Sequence, residues 1–171
     1  MKSKILFYSF FIFVFLLFQT TLLQYAAIYG ITPNILMVFI IVTSLIRGNI
    51  EGSITGFFAG LAIDMMFGSV LGFYALMGFY LGIAAGSANR RMFRDNLLVA
   101  LFFTFVYSVL YEIIVYIVNN IMGGEMELLY ALSRVILPEA VYNCVTAMPI
   151  YWLVMKADKR FAGTEKMARK Y

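Results

Sequence analysis

Four charged side chains lie inside stretches of the chain that are otherwise apolar enough to cross a membrane. They are Asp64, Glu112, Arg134 and Glu139. A charge in the hydrocarbon core costs roughly 2.5–3.5 kcal/mol on insertion scales, so such a residue normally faces a partner group and is a candidate for an ion, proton or substrate site. The sequence therefore predicts a buried polar cluster formed by these four residues.

Asp64 also belongs to a ladder of glycines spaced four residues apart. Its members are Gly52, Gly56, Gly60, Asp64, Gly68 and Gly72. Residues four apart share one helix face, and small residues on that face allow a second helix to approach closely. Gly78, Gly82 and Gly86 continue the spacing, which predicts two helices packed as a hairpin. The ladder face is either buried within the chain or offered to a partner, and the sequence leaves both interpretations open.

The remaining reactive residue types argue against an enzyme. Histidine is absent, which removes the commonest general base and the commonest neutral metal ligand. An intramembrane aspartyl site needs two aspartates that share a proton, whereas Asp64 is the only aspartate in an apolar stretch. There is no phosphate-binding loop of the Gly-x4-Gly-Lys-Ser/Thr type. We therefore predict no catalytic residues, no cofactor and no metal site.

Composition assigns the chain to the membrane proteins. Hydrophobic residues make up 63% and charged residues 13% of its 171 positions, against roughly half and a quarter in soluble domains. No charge interrupts residues 5–46, a stretch too long for one crossing of a core about 30 Å thick. We predict an all-α, polytopic protein with one six-helix transmembrane domain (1–155) and a short basic cytoplasmic tail (156–171). The six predicted spans are 5–27, 33–47, 51–68, 70–89, 96–121 and 128–155.

The distribution of positive charge predicts the orientation of these spans. With both termini in the cytoplasm, every one of the thirteen basic residues except Arg134 falls on the cytoplasmic side, as the positive-inside bias requires. The cytoplasmic residues are Lys2, Lys4, Arg47, Arg90, Arg91, Arg94, Lys156, Lys159, Arg160, Lys166, Arg169 and Lys170. The net charge of +4 therefore reflects membrane topology and not a nucleic-acid partner. The first apolar segment lacks a small-x-small cleavage site and is expected to be a retained helix.

This orientation also sets the expected depth of the buried charges. A rise of about 1.5 Å per residue places Asp64, Glu112 and Arg134 at nearly the same level in the outer half of the membrane. Glu139 is expected to lie closer to the cytoplasmic face. We predict that Arg134 pairs with one of the two acids, Asp64 being favoured. Pro138 and Pro149 should bend or interrupt the sixth helix.

Two segments resemble the MreD family of bacterial rod shape-determining membrane proteins. The first is Pro33-Asn34-Ile35-Leu36, at the start of the second predicted helix. The second runs from Gly56 to Gly72 and contains the pattern Gly-x3-Gly-x3-Asp-x3-Gly-x3-Gly. The acid of the fifth helix, Glu112, and the late proline Pro149 agree with the family as well.

The resemblance implies a non-enzymatic role in cell-wall elongation at the bacterial plasma membrane. MreD-like proteins act with MreC, expected here as a direct partner. They belong to the complex that contains MreB, RodA and a penicillin-binding transpeptidase. The fold they imply is similar to the substrate-binding subunits of energy-coupling-factor transporters. The alternative function is accordingly that of a vitamin-binding membrane subunit.

Overall fold

The computed structural model describes residues 2–22, 25, 27, 30–67, 71–88, 96–123 and 127–168. The ladder residue Gly68 lies outside these ranges, as do Arg90, Arg91, Arg94, Arg169 and Lys170. The described residues form six helices, which confirms the predicted all-α class. The helices are α1 (Lys2–Leu17, extended by a π-helical turn at Phe18–Leu22), α2 (Ile35–Arg47), α3 (Asn49–Phe67), α4 (Phe73–Ser87), α5 (Leu97–Ile121) and α6 (Leu128–Ala131, a π-helical turn at Leu132–Ile136, then Leu137–Ala168).

Two helices in the described ranges are long and apolar enough to cross a membrane by length and composition. They are Leu97–Ile121, with a mean hydropathy of 2.2, and Leu128–Arg160, with 1.2. Three shorter apolar helices, Leu6–Thr21, Ile35–Arg47 and Phe73–Ser87, accompany them. The six-span topology therefore stays a prediction.

Helix α2 forms the centre of the bundle. All its residues from Leu36 to Ile46 are buried, and they are apolar on every side except for Thr43 and Ser44. A helix that is hydrophobic all round is typical of a protein core or of a membrane span. Helices α1, α3, α4, α5 and α6 all pack against it. On the α1 side, Phe15 meets Phe39 edge to face with ring centroids 5.1 Å apart.

Helices α3 and α4 form a hairpin whose backbones touch. A Cβ atom added to Gly56 would overlap the carbonyl of Gly78, and one added to Gly78 would overlap the carbonyl of Gly56. Gly60 meets the backbone of Tyr74 and Ala75 in the same way. Because no side chain larger than hydrogen fits at these contacts, the glycine spacing sets how closely the two helices approach.

Helix α6 changes its winding just before its first proline. The π-helical turn spans Leu132–Ile136, and Pro138 follows it. Proline has no N–H and cannot donate to the carbonyl four residues earlier, so the wider turn lies where the regular helical bond would be lost. The helix then runs through Pro149 and on to Ala168, so residues 156–168 of the predicted tail are helical.

Replacing Gly60 with Leu should destabilise the α3–α4 hairpin. Its side chain would collide with backbone, which cannot rotate aside as a flexible side chain would, and we expect a loss of more than about 3 kcal/mol. The measurement is thermal unfolding of the purified protein in detergent. Ala84→Leu is the matched control, because Ala84 lies on α4 but is exposed. Equal stability of the two variants would contradict the close contact.

Candidate functional site

The carboxylate of Asp64 binds the N-terminus of α4. Its Oδ1 accepts a hydrogen bond from the backbone N–H of Tyr74 at 3.0 Å, and its Oδ2 accepts one from Ala75 at 2.9 Å. Asp64 itself is 3% exposed. The first N–H groups of a helix have no partner within it, and the helix dipole favours a negative charge there. Asp64 therefore caps the helix that follows its own.

Gly72 makes this arrangement possible. It occupies the position before α4 with φ +95°, a left-handed conformation that glycine adopts without strain. It has no side chain to cap the helix, and Asp64 supplies the missing acceptor from the neighbouring helix. Gly56 and Gly60 of the ladder thus contact α4, whereas Gly72 shapes the turn before it.

Glu112 and Glu139 come together from α5 and α6. Their carboxyl groups lie close to each other, and the amide of Asn143, on the next turn of α6, lies close to Glu139. Glu112 and Asp64 are both close enough to the Tyr74 hydroxyl to act on it electrostatically. Glu112 and Glu139, two of the four residues predicted to form the cluster, are therefore neighbours, and the full cluster stays a prediction. The described residues contain no group of three or more metal-binding side chains.

The ion pair predicted between Arg134 and Asp64 or Glu112 is wrong. Arg134 is exposed, and among the described residues no ion pair joins it to either acid. Two backbone N–H groups already satisfy the Asp64 carboxylate, so that acid needs no cation. Arg134 instead lines a polar cavity of about 350 Å³ together with Glu139, Gln19 and Asn34.

Asn34 joins four helical segments at one end of the bundle. Its side-chain oxygen accepts a bond from the Met37 N–H at 3.1 Å, which caps α2. Its own N–H donates to Oδ1 of Asn143 at 2.8 Å, and the Asn143 amide donates to Ser108 Oγ at 3.3 Å. Gln19 donates to the Asn34 oxygen at 3.4 Å and accepts from the backbone N–H of Leu36, in the first turn of α2. This network was not predicted from the sequence, although asparagine is a preferred N-cap residue and Asn34 directly follows Pro33.

Arg47 forms a second network at the other end of α2. It donates to both carboxylate oxygens of Glu51, at 2.7 and 2.9 Å, and to Oδ1 of Asp158 on α6. The Tyr8 hydroxyl of α1 donates to Glu51 at 3.0 Å. The side chains of Arg47 and Asp158 are only 9% and 4% exposed. From the sequence, Arg47 was used only to predict the orientation of the helices. Its four-residue spacing from Glu51 nevertheless permits an ion pair.

Comparison with known proteins assigns this architecture to a family. A family model described as rod shape-determining protein MreD matches residues 1–159 of the chain. The chain belongs to the MreD family. No curated protein and no solved structure matches it.

Membership in the MreD family confirms the resemblance drawn from Pro33-Asn34 and the glycine ladder. MreD is a membrane protein family with a role in rod-shape determination. The structure gives the two MreD-like motifs physical roles. The Pro-Asn pair caps and anchors α2, and the ladder brings α3 against α4 with its acid on the α4 N-terminus.

Replacing Asp64 with Ala should leave two buried N–H groups without an acceptor. We expect a loss of about 2–4 kcal/mol in the free energy of unfolding. Asp64→Asn should lose about half as much, because its amide oxygen still accepts one of the two bonds. Thermal unfolding in detergent ranks the variants. Glu127→Gln is the charge control, since Glu127 is exposed and its side chain caps no helix. Asp64→Ala with wild-type stability would contradict the capping role.

Replacing Arg47 with Met should be more harmful than replacing it together with its partner on α6. The single change removes the guanidinium that donates to both Glu51 and Asp158, at an expected loss of about 3–5 kcal/mol. The double variant Arg47→Met/Asp158→Leu removes the buried acid as well and should recover much of that loss. A double-mutant cycle on the unfolding temperature measures the coupling. Strict additivity would show that the pair does not interact.

Proposed function

We propose that this protein is a non-enzymatic membrane scaffold of the bacterial cell-wall elongation complex that binds MreC directly and supports rod shape and peptidoglycan synthesis. It crosses the plasma membrane six times, with both termini in the cytoplasm, and works alongside MreB, RodA and a penicillin-binding transpeptidase. The observation that carries the proposal is the family match, which covers 159 of 171 residues.

The interior of the bundle supports a structural role. Asp64, Asn34 and Arg47 form hydrogen bonds that hold helices to one another. Each therefore has a packing role that needs no substrate. A bundle fixed in this way presents a constant outer surface, which is what a scaffold requires.

The glycine ladder narrows the choice of surface for MreC. The face that carries Gly56 and Gly60 is covered by α4 of the same chain. A partner helix would have to displace α4 and break the Asp64 cap in order to reach it. We therefore propose that MreC binds outside the ladder face, and that the ladder acts by holding the α3–α4 hairpin in shape.

The polar cavity beside Arg134 supports the alternative function. It has a volume of about 350 Å³, and its lining includes a cation, an acid and two amides, from Arg134, Glu139, Gln19 and Asn34. Such a lining is suited to a small polar molecule, as in a vitamin-binding subunit of an energy-coupling-factor transporter. Mass spectrometry of the protein purified in mild detergent separates the two functions, because a vitamin-binding subunit should retain a stoichiometric small molecule.

Co-expression with MreC tests the proposed function. The wild-type chain should retain MreC through affinity purification, and so should Ala84→Leu. Gly60→Leu should show no cooperative thermal unfolding and should not co-purify MreC, because the substitution deforms the hairpin that shapes the surface. Restoration of rod shape in cells that lack their own family member should follow the same order. A folded wild-type chain that retains no MreC would refute direct binding.

A further inference from the structure

A groove lies between α1 and the C-terminal half of α6. It has a volume of about 1020 Å³ and follows α1 from Leu6 to Phe13. Its walls are mainly apolar, and they expose large side chains: Phe10 and Phe13 are each 59% exposed and Trp152 is 66% exposed. These eight residues of helix span about 12 Å, which fits within one leaflet of a hydrocarbon core about 30 Å thick.

Positive charge is concentrated at one end of this groove. Lys156 and Arg160 both line it, are both exposed, and stand one helical turn apart on α6. The Lys156 ammonium lies 4.9 Å from the centre of the Trp152 ring, a cation–π contact that orients it at the groove. The nearby acid Asp158 is buried and bound to Arg47, so it points into the bundle and not into the groove.

We propose that this groove binds an anionic glycerophospholipid of the cytoplasmic leaflet. The acyl chains lie along the aromatic walls, and the phosphate contacts Lys156 and Arg160 at the cytoplasmic end. The proposal rests on the orientation proposed above, with both termini in the cytoplasm, but not on MreC binding. Basic residues at the cytoplasmic membrane surface attract anionic lipids by about 1 kcal/mol each, and basic pockets between helices on that side bind lipid headgroups.

Charge complementarity favours a lipid over a transmembrane helix of another protein. The cytoplasmic end of a membrane helix is usually basic because of the positive-inside bias. Such an end would meet Lys156 and Arg160 with like charge, whereas a phosphate meets them with opposite charge. A lipid in this position also contacts α1 and α6 at once, and so joins the first and last helices of the bundle where they diverge.

Native mass spectrometry of the full chain with equal amounts of phosphatidylglycerol and phosphatidylcholine tests the charged end. The wild-type protein should retain phosphatidylglycerol preferentially. Lys156→Gln and Arg160→Gln should each lower that retention about fivefold, and the double variant about thirtyfold. Lys159→Gln is the matched control, since Lys159 is exposed on the same helix but does not line the groove. An equal loss in the control would refute the site in favour of a diffuse basic surface.

A second variant tests the apolar walls without changing any charge. Ser9→Trp places a large ring in the groove, which Ser9 lines from α1. It should lower lipid retention at least fivefold while leaving the unfolding temperature of the delipidated protein unchanged. Ala84→Trp, at an exposed position on α4, should retain lipid as the wild type does. Equal retention of the two phospholipids, unchanged retention in Ser9→Trp, or loss of the lipid from a complex in which a partner's helix fills the groove would each overturn the proposal.

Discussion

The direct contact between the backbones of α3 and α4 is the constraint on which the rest of the bundle depends. Gly56 and Gly78 leave no space between the two helices, and this closeness brings the α4 N-terminus within reach of Asp64. A side chain at either glycine would push the helices apart and leave both the carboxylate and the N–H groups unpaired in an apolar interior. Packing and hydrogen bonding are therefore satisfied by one geometry.

Polar contacts then fix both ends of the central helix. At one end, Asn34 ties the start of α2 to α6 through Asn143. At the other end, Arg47 ties it to Glu51 of α3 and to Asp158 of α6. Helix α6 thus forms hydrogen bonds with both ends of α2. The groove beside Lys156 lies between α6 and α1 and is lined by neither Asn143 nor Asp158.

Sequence reasoning predicted the helices well and the polar partners poorly. The apolar runs are divided by Gly30 to Pro33 and by a break predicted between spans 51–68 and 70–89, because turn chemistry is local. The helix after that break begins at Phe73, three residues later than predicted. The partner of Asp64 was predicted from depth, which counts side-chain charges but not the free N–H groups of a helix end. Arg134 was misplaced for a related reason. Depth alone does not say which side of α6 a residue occupies, and the wide turn at Leu132–Ile136 changes that side.

The burial of α2 has a consequence for how the bundle meets a bilayer. With 13 residues, α2 is about 20 Å long, well short of a hydrocarbon core. A lipid-facing helix of that length would thin the membrane or tilt its neighbours, but α2 is surrounded by protein and has capped ends. Matching the bilayer thickness therefore falls to outer helices such as α5 and α6. Changes in membrane thickness should therefore alter the tilt of those outer helices and leave α2 unaffected.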